Sequence, residues 1–340
     1  MNPPEASGRS LRRTVAVLAL VAFSLRLYIH LLSPVIAADA AGYLGTAERL
    51  RHQPIAAALD VAEVHPFYPL LVFLLGGILP DLALAAALIS ILASAAAVWP
   101  LHALFRLIWP ERLASAACLL FALHPILAAE TADALPTALQ ILLFAGALAS
   151  GLHALRGGPW FLYPTAGACG ALAYLTRTEG LLSLLLLGAA AVVTAIRRPP
   201  GFDAKRFALG LAAAAVVVAA LAGPYVAFAS RKAGRFAITA KGGGTVLLKA
   251  LQGQDQEVRE TDSSFKFLPT LQRKLSYAFF VPLLPFLAAG FYLERRETRR
   301  RLGQLLIALA ALGPPILLFA NIPASGTLHP VLRRLVVRSR

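Results

Sequence analysis

Apolar runs close to the ~20 residues needed to cross ~30 Å of hydrocarbon recur along this chain, separated by short polar clusters. They fall at 14–36, 82–105, 113–129, 135–155, 160–176, 180–196, 207–229, 277–293 and 302–320, so about nine spans are expected. None alternates with the period of two that a membrane barrel requires, and the runs therefore predict helices. Between the first two runs the pattern changes. Residues 42–51 place Tyr43, Leu44, Ala47 and Leu50 at helical spacing, with Glu48, Arg49 and Arg51 between them. That is a helix with a charged face, suited to a membrane surface. Residues 67–79, ending at Pro80-Asp81, are too short to cross and predict a second interfacial helix. The expected architecture is an all-α polytopic membrane protein. A single transmembrane domain covers 1–340, with one or two interfacial helices in a first outer loop (37–81) and a long outer loop at 230–276.

Composition supports this reading. Hydrophobic residues make up 58% of the sequence and charged residues only 14%, more apolar surface than one soluble core can hide. The net charge is +15. Its arginines and lysines sit in clusters between apolar runs, the pattern of cytoplasmic loops, so no nucleic-acid partner is expected. If Arg12 and Arg13 lie inside, the loops holding Arg106 and Arg112, Arg156, Arg197 to Arg206, and Arg295 to Arg301 also lie inside. The expected location is thus the plasma (inner) membrane, with a cytoplasmic N-terminus. The tail breaks the pattern: nine spans put Arg333, Arg334, Arg338 and Arg340 outside. Either the count is off by one or the chain is an incomplete version of something longer. The first run exceeds the ~7–15 residues of a signal core, so an uncleaved span is expected. Cys118 and Cys169 both lie in apolar runs and read as packing residues, not as a disulfide.

This topology collects Asp39, Glu63, His65, Asp81, Glu130, Asp133, Arg177 and Glu179 at one face. Carboxylates at that depth are paired or used. A carboxylate there can take a proton from an acceptor or hold a divalent metal. Each residue also has a plain structural explanation. Asp39 could cap a helix, with Tyr43 one turn later. His65 precedes Pro66 and could mark a turn. Asp133 could open a helix. Arg177 and Glu179 could pair with each other, or Arg177 could hold a phosphate through its planar fork. Arg26 lies deep in the first span and faces the bundle interior, as one half of an ion pair or as a ligand group. Lys241, followed by three glycines, could meet an anion or sit in a flexible loop.

The order of motifs resembles the GT-C class of polytopic glycosyltransferases, especially relatives of the protein O-mannosyltransferases and the lipid A aminoarabinose transferase. The resemblance rests on Asp39-Ala40-Ala41-Gly42-Tyr43 after the first span, and on His65-Pro66-Phe67-Tyr68-Pro69 opening a surface helix. It also rests on Asp133-Ala134-Leu135 and on the stretch from Gly170 to Gly180. It covers about residues 14–230. The family often has a second proline where this chain has Phe67, and usually more helices at its C-terminal end. The resemblance implies a glycosyltransferase (hexosyl or pentosyl) that takes a polyprenyl-phosphate-linked sugar from the bilayer. It would pass the sugar to a hydroxyl on a lipid, glycan or protein at the periplasmic or extracellular face. Asp39, Asp133 and Glu179 are the expected catalytic residues. Tyr43, Glu63, His65, Arg177 and Lys241 are expected to bind substrate, and Asp39 and Asp133 are the candidate ligands if a divalent metal takes part. Two rival readings are a multi-pass transporter or flippase and a truncated, inactive transferase relative.

Overall fold

The computed structural model describes residues 8–32, 37, 39–61 and 64–240. Expected spans 277–293 and 302–320, most of the 230–276 loop, Glu63 and Lys241 lie outside the described residues. Every regular element described is helical. In order these are α1 (Gly8–Leu32), α2 (Ala40–His52), α3 (Ile55–Asp60), α4 (Phe67–Gly76), α5 (Leu82–Arg106), α6 (Glu111–Leu123), α7 (Pro125–Ala132), α8 (Thr137–Leu155), α9 (Leu162–Thr176), a 3-10 turn (Thr178–Gly180), α10 (Leu181–Arg197) and α11 (Ala204–Ala233).

Among the described residues, five helical stretches are long and apolar enough to cross a membrane: Ser10–Leu32, Leu82–Arg106, Thr137–Leu155, Thr178–Arg197 and Ala204–Ala233. They carry large apolar side chains on their outer faces, among them Leu20, Leu185 and Val216, each more than 60% exposed. Such faces suit lipid, not water. The expected spans at 113–129 and 160–176 take different forms. The first is broken into α6 and α7, and the second is α9, whose 15 residues reach only about 22 Å.

The break between α6 and α7 explains Arg26. Pro125 has no N–H, so the Phe121 carbonyl loses its partner one turn on, and the extended backbone at His124 frees the Ala122 carbonyl too. Arg26, fully buried on α1, fills both vacancies. Its Nη2 donates to Phe121 O at 3.3 Å and its Nη1 to Ala122 O at 2.9 Å. Nη1 also donates to Ala22 O, and Nε donates to Thr131 Oγ1 at 2.8 Å. The Arg26 guanidinium lies 5.3 Å from the centre of the Phe121 ring. Of the two readings for Arg26, an ion pair or a ligand group, the described partners are neither: they are carbonyls and a hydroxyl, those of Phe121, Ala122 and Thr131 at a broken helix.

Residues 37–81, where one or two interfacial helices are expected, hold three among the described residues. The additional one is the six-residue α3, which Pro54 opens with its fixed φ. Nor does α4 lie loose at a surface. It packs on α2, α5 and α9, and its Tyr68 is completely buried. Tyr68 Oη donates to Ala86 O at 3.1 Å and shares a hydrogen bond with Ser90 Oγ at 3.0 Å. Ser90 Oγ also donates to Leu135 O. A buried cluster including Tyr43, Val72, Leu82, Ala86 and Leu139 joins α2 and α4 to the upper halves of α5 and α8. At the other side, α11 approaches α9 closely: a Cβ on Gly167 would lie 2.7 Å from Ala214 O.

Candidate active site

Four pieces of chain meet at the end of the bundle where α1 finishes and α2 begins: the α2 N-terminus, the entry to α4, the α7–α8 joint and the α9–α10 turn. Asp133 fixes the first of these. Its Oδ2 accepts from Ala37 N at 3.0 Å, and its Oδ1 accepts from Ala134 N at 2.7 Å. Asp39 follows two residues after Ala37. It occupies the N-cap position of α2, yet its side chain makes no capping bond. Its φ and ψ (−65° and −24°) are helical, whereas a side chain that caps needs an extended backbone. Asp81 and Asp203, with extended backbones, do cap α5 and α11. Asp39 is exposed and makes no hydrogen bond or ion pair among the described residues.

One turn along α2, Tyr43 is buried and meets Tyr68 edge to face with ring centres 5.4 Å apart. Desolvation raises the Tyr43 phenol pKa; the Arg177 charge opposes this, while Asp39 and Glu179 add to it. The phenol thus stays protonated and can serve as a hydrogen-bond donor. Asp39, Arg177 and Glu179 thus all lie within electrostatic reach of one hydroxyl.

The α9–α10 turn is built around Gly180. A Cβ there would fall 2.1 Å from the Ala173 carbonyl carbon, so only glycine lets the turn fold back on α9. Gln140, from α8, secures the turn, donating to Ala173 O at 2.8 Å and accepting from Gly180 N at 3.0 Å. On this turn Arg177 Nη2 and Nε meet Glu179 Oε1 and Oε2 at 3.1 and 3.4 Å. Burial lowers the Arg177 pKa, but Glu179 outweighs it and the net direction is upward. Glu130, on α7, is also within reach of Arg177; desolvation raises its carboxyl pKa, and Arg177 and His124 pull it back.

His65, 1% exposed, shares a hydrogen bond between Nε2 and Thr178 Oγ1 at 2.8 Å. Its ring lies 5.7 Å from Tyr174 and 5.2 Å from Tyr225. This pins the start of α4 to the α9–α10 turn. The structure thus brings Asp39, Tyr43, Asp133, Arg177 and Glu179 to one end, sets His65 beside them as a buried clamp, and leaves Glu63 and Lys241 outside the described residues. Sequence reasoning missed Tyr174, Tyr225 and Gln140. Apolar neighbours hide all three in the sequence, and their contacts span up to 160 positions.

Asp39 and Asp133, the candidate ligands if a divalent metal takes part, come to the same end of the bundle. Both Asp133 oxygens already accept backbone N–H groups, and no cluster of three or more His, Cys, Asp or Glu side chains forms among the described residues.

A bundle of lipid-facing helices that gathers carboxylates, a phenol and a paired arginine at one end has the build of a membrane-embedded transferase. Residues 63–223, just under half of the chain, match the family model of dolichyl-phosphate-mannose-protein mannosyltransferase, which supports a GT-C-like membrane glycosyltransferase of mannosyltransferase type. The matched range contains His65, Glu130, Asp133, Arg177 and Glu179, and it begins after Asp39 and Tyr43. No curated protein and no solved structure matches the chain.

Proposed function

We propose that the chain transfers a sugar from a polyprenyl-phosphate-linked donor to an acceptor hydroxyl at the outer face of the inner membrane. The observation that carries this reading is the exposed Asp39 carboxylate, uncapped at a helix start and sharing its surroundings with Tyr43 and the Arg177–Glu179 pair. Asp39 takes the proton of the acceptor hydroxyl as that oxygen attacks the anomeric carbon. The bond from this carbon to the phosphate oxygen breaks, and polyprenyl phosphate leaves with the electron pair. Glu179 occupies Nε and Nη2 of Arg177 and leaves Nη1 to meet the departing phosphate. Tyr43, a protonated donor, orients the phosphate or the sugar. Asp133 positions Asp39 through the Ala37 backbone, and His65 holds the arginine turn in place.

Membranes with and without the chain, charged with radiolabelled polyprenyl-phosphate mannose, test this proposal. Movement of label from polyprenyl phosphate to another molecule, only where the chain is present, is expected. Label that stays on the lipid while crossing the bilayer would instead indicate a flippase.

A further inference from the structure

The bundle has a cavity of about 400 Å³ at the end opposite the carboxylates, between the last turns of α8 and α10 and the first turns of α9 and α11. This volume is in the range of small-ligand sites. Arg156, after α8, and Arg206, on α11, both line it, with Tyr163, Ala190, Thr194 and Asp203. Arg206 Nη2 donates to Gly158 O at 2.6 Å and Arg156 Nη1 to Leu107 O at 3.3 Å. These bonds aim the two side chains but do not neutralise them. Neither guanidinium forms an ion pair among the described residues. The carboxylate that lines the cavity among the described residues, Asp203, accepts from Arg206 N as the α11 cap. Tyr163 is only 6% exposed, and its hydroxyl makes no hydrogen bond among the described residues. Arg206 is within electrostatic reach of that hydroxyl. Two cations without a carboxylate partner among the described residues and a phenol line one open space at the helix ends, a set suited to an anion with several acceptor oxygens.

The surroundings say which anion. The cavity sits where membrane-crossing helices end, at headgroup depth, and on the face that the arginine distribution assigns to the cytoplasm, whose leaflet is rich in anionic lipid. Above it, α10 and α11 each pack on α9 with little contact between them. Their exposed Val193, Ile196 and Leu209 offer apolar surface leading away from the cavity. We propose that this cavity holds the phosphodiester headgroup of an anionic phospholipid, with its acyl chains along α10 and α11. This site is separate from the transferase site and does not depend on it.

Native mass spectrometry of the purified full chain in detergent tests this. Phosphatidylglycerol is expected to bind at about tenfold lower concentration than phosphatidylcholine, given two arginines at a headgroup site. Changing Arg156→Gln and Arg206→Gln together should erase that preference. Ala190→Leu, which keeps both arginines but fills part of the cavity, should weaken binding several-fold. Arg112→Gln, exposed at the same end but outside the cavity, should leave it unchanged. Equal binding of the two lipids by the intact chain, or an equal loss from Arg112→Gln, would overturn the proposal. Binding of glycerol 3-phosphate as tightly as phosphatidylglycerol would also overturn it, by assigning the cavity to a free anion.

Discussion

The Asp133 carboxylate accepts the backbone N–H of Ala37 at 3.0 Å, across 96 positions of sequence. This contact anchors the chain just before Asp39 to the joint between α7 and α8. Replacing Asp133 with Ala removes the acceptor from a part-buried N–H, at a cost of about 1–3 kcal/mol. Asp133→Ala should lower both the melting temperature and sugar transfer. Asp133→Glu, which keeps the acceptor, should recover part of each. Full activity in Asp133→Ala would show that the anchor is not needed to place Asp39.

Gly180→Ala tests the arginine turn. The added methyl would meet Ala173 backbone at 2.1 Å, and neither side is a flexible side chain that can swing away. A shift of the turn would carry Arg177 with it, at a cost of about 1–3 kcal/mol. Donor KM should rise and kcat fall in a variant that still inserts in the membrane. An unchanged KM would mean that the turn does not set the position of Arg177 against the donor.

Arg26→Leu should destabilise the chain by about 3 kcal/mol or more, because it strands the Phe121 and Ala122 carbonyls in an apolar interior. Thermal unfolding in detergent reads this directly. Activity per folded molecule should stay near that of the unaltered chain, since Arg26 reaches α7 at the Thr131 hydroxyl and bonds none of the carboxylates among the described residues. A selective loss of turnover with intact stability would assign Arg26 to the chemistry instead.

Tyr43→Phe separates a donor from a base. Burial holds the phenol protonated well above neutrality, so its loss should reduce turnover by a factor of about 10 without moving either limb of the pH profile. An alkaline limb present in the unaltered chain and absent in the variant would mean that Tyr43 titrates during catalysis.

Much of this organisation was legible in the sequence. Apolar run lengths gave α1, α5, α8, α10 and α11 their approximate limits, and the arginine pattern put Asp39, Asp133 and Arg177 at a common end. The pairing of Arg177 with Glu179 was one of two stated options. Other features depend on contacts that periodicity does not carry. The run at 113–129 is continuously apolar, so the break at His124-Pro125 emerges only once Arg26 is seen filling the freed carbonyls. α3 is too short to leave a pattern, and Pro54 was its only mark. Asp39 and Asp81 look alike as helix-opening aspartates. Backbone dihedrals, invisible in sequence, separate the one that caps from the one that does not. His65 meets Tyr225 from another helix altogether, which no local motif encodes.

Asp39→Asn keeps size and shape while removing the charge, and the Asp39 side chain makes no hydrogen bond or ion pair among the described residues that the change would break. Purified chain and variant should therefore melt alike. In membranes charged with a radiolabelled polyprenyl-phosphate sugar, the intact chain should move label to an acceptor, and Asp39→Asn should do so at least about a hundredfold more slowly, the range for loss of a general base. Equal rates of transfer by the two would contradict the assignment of Asp39 as the base.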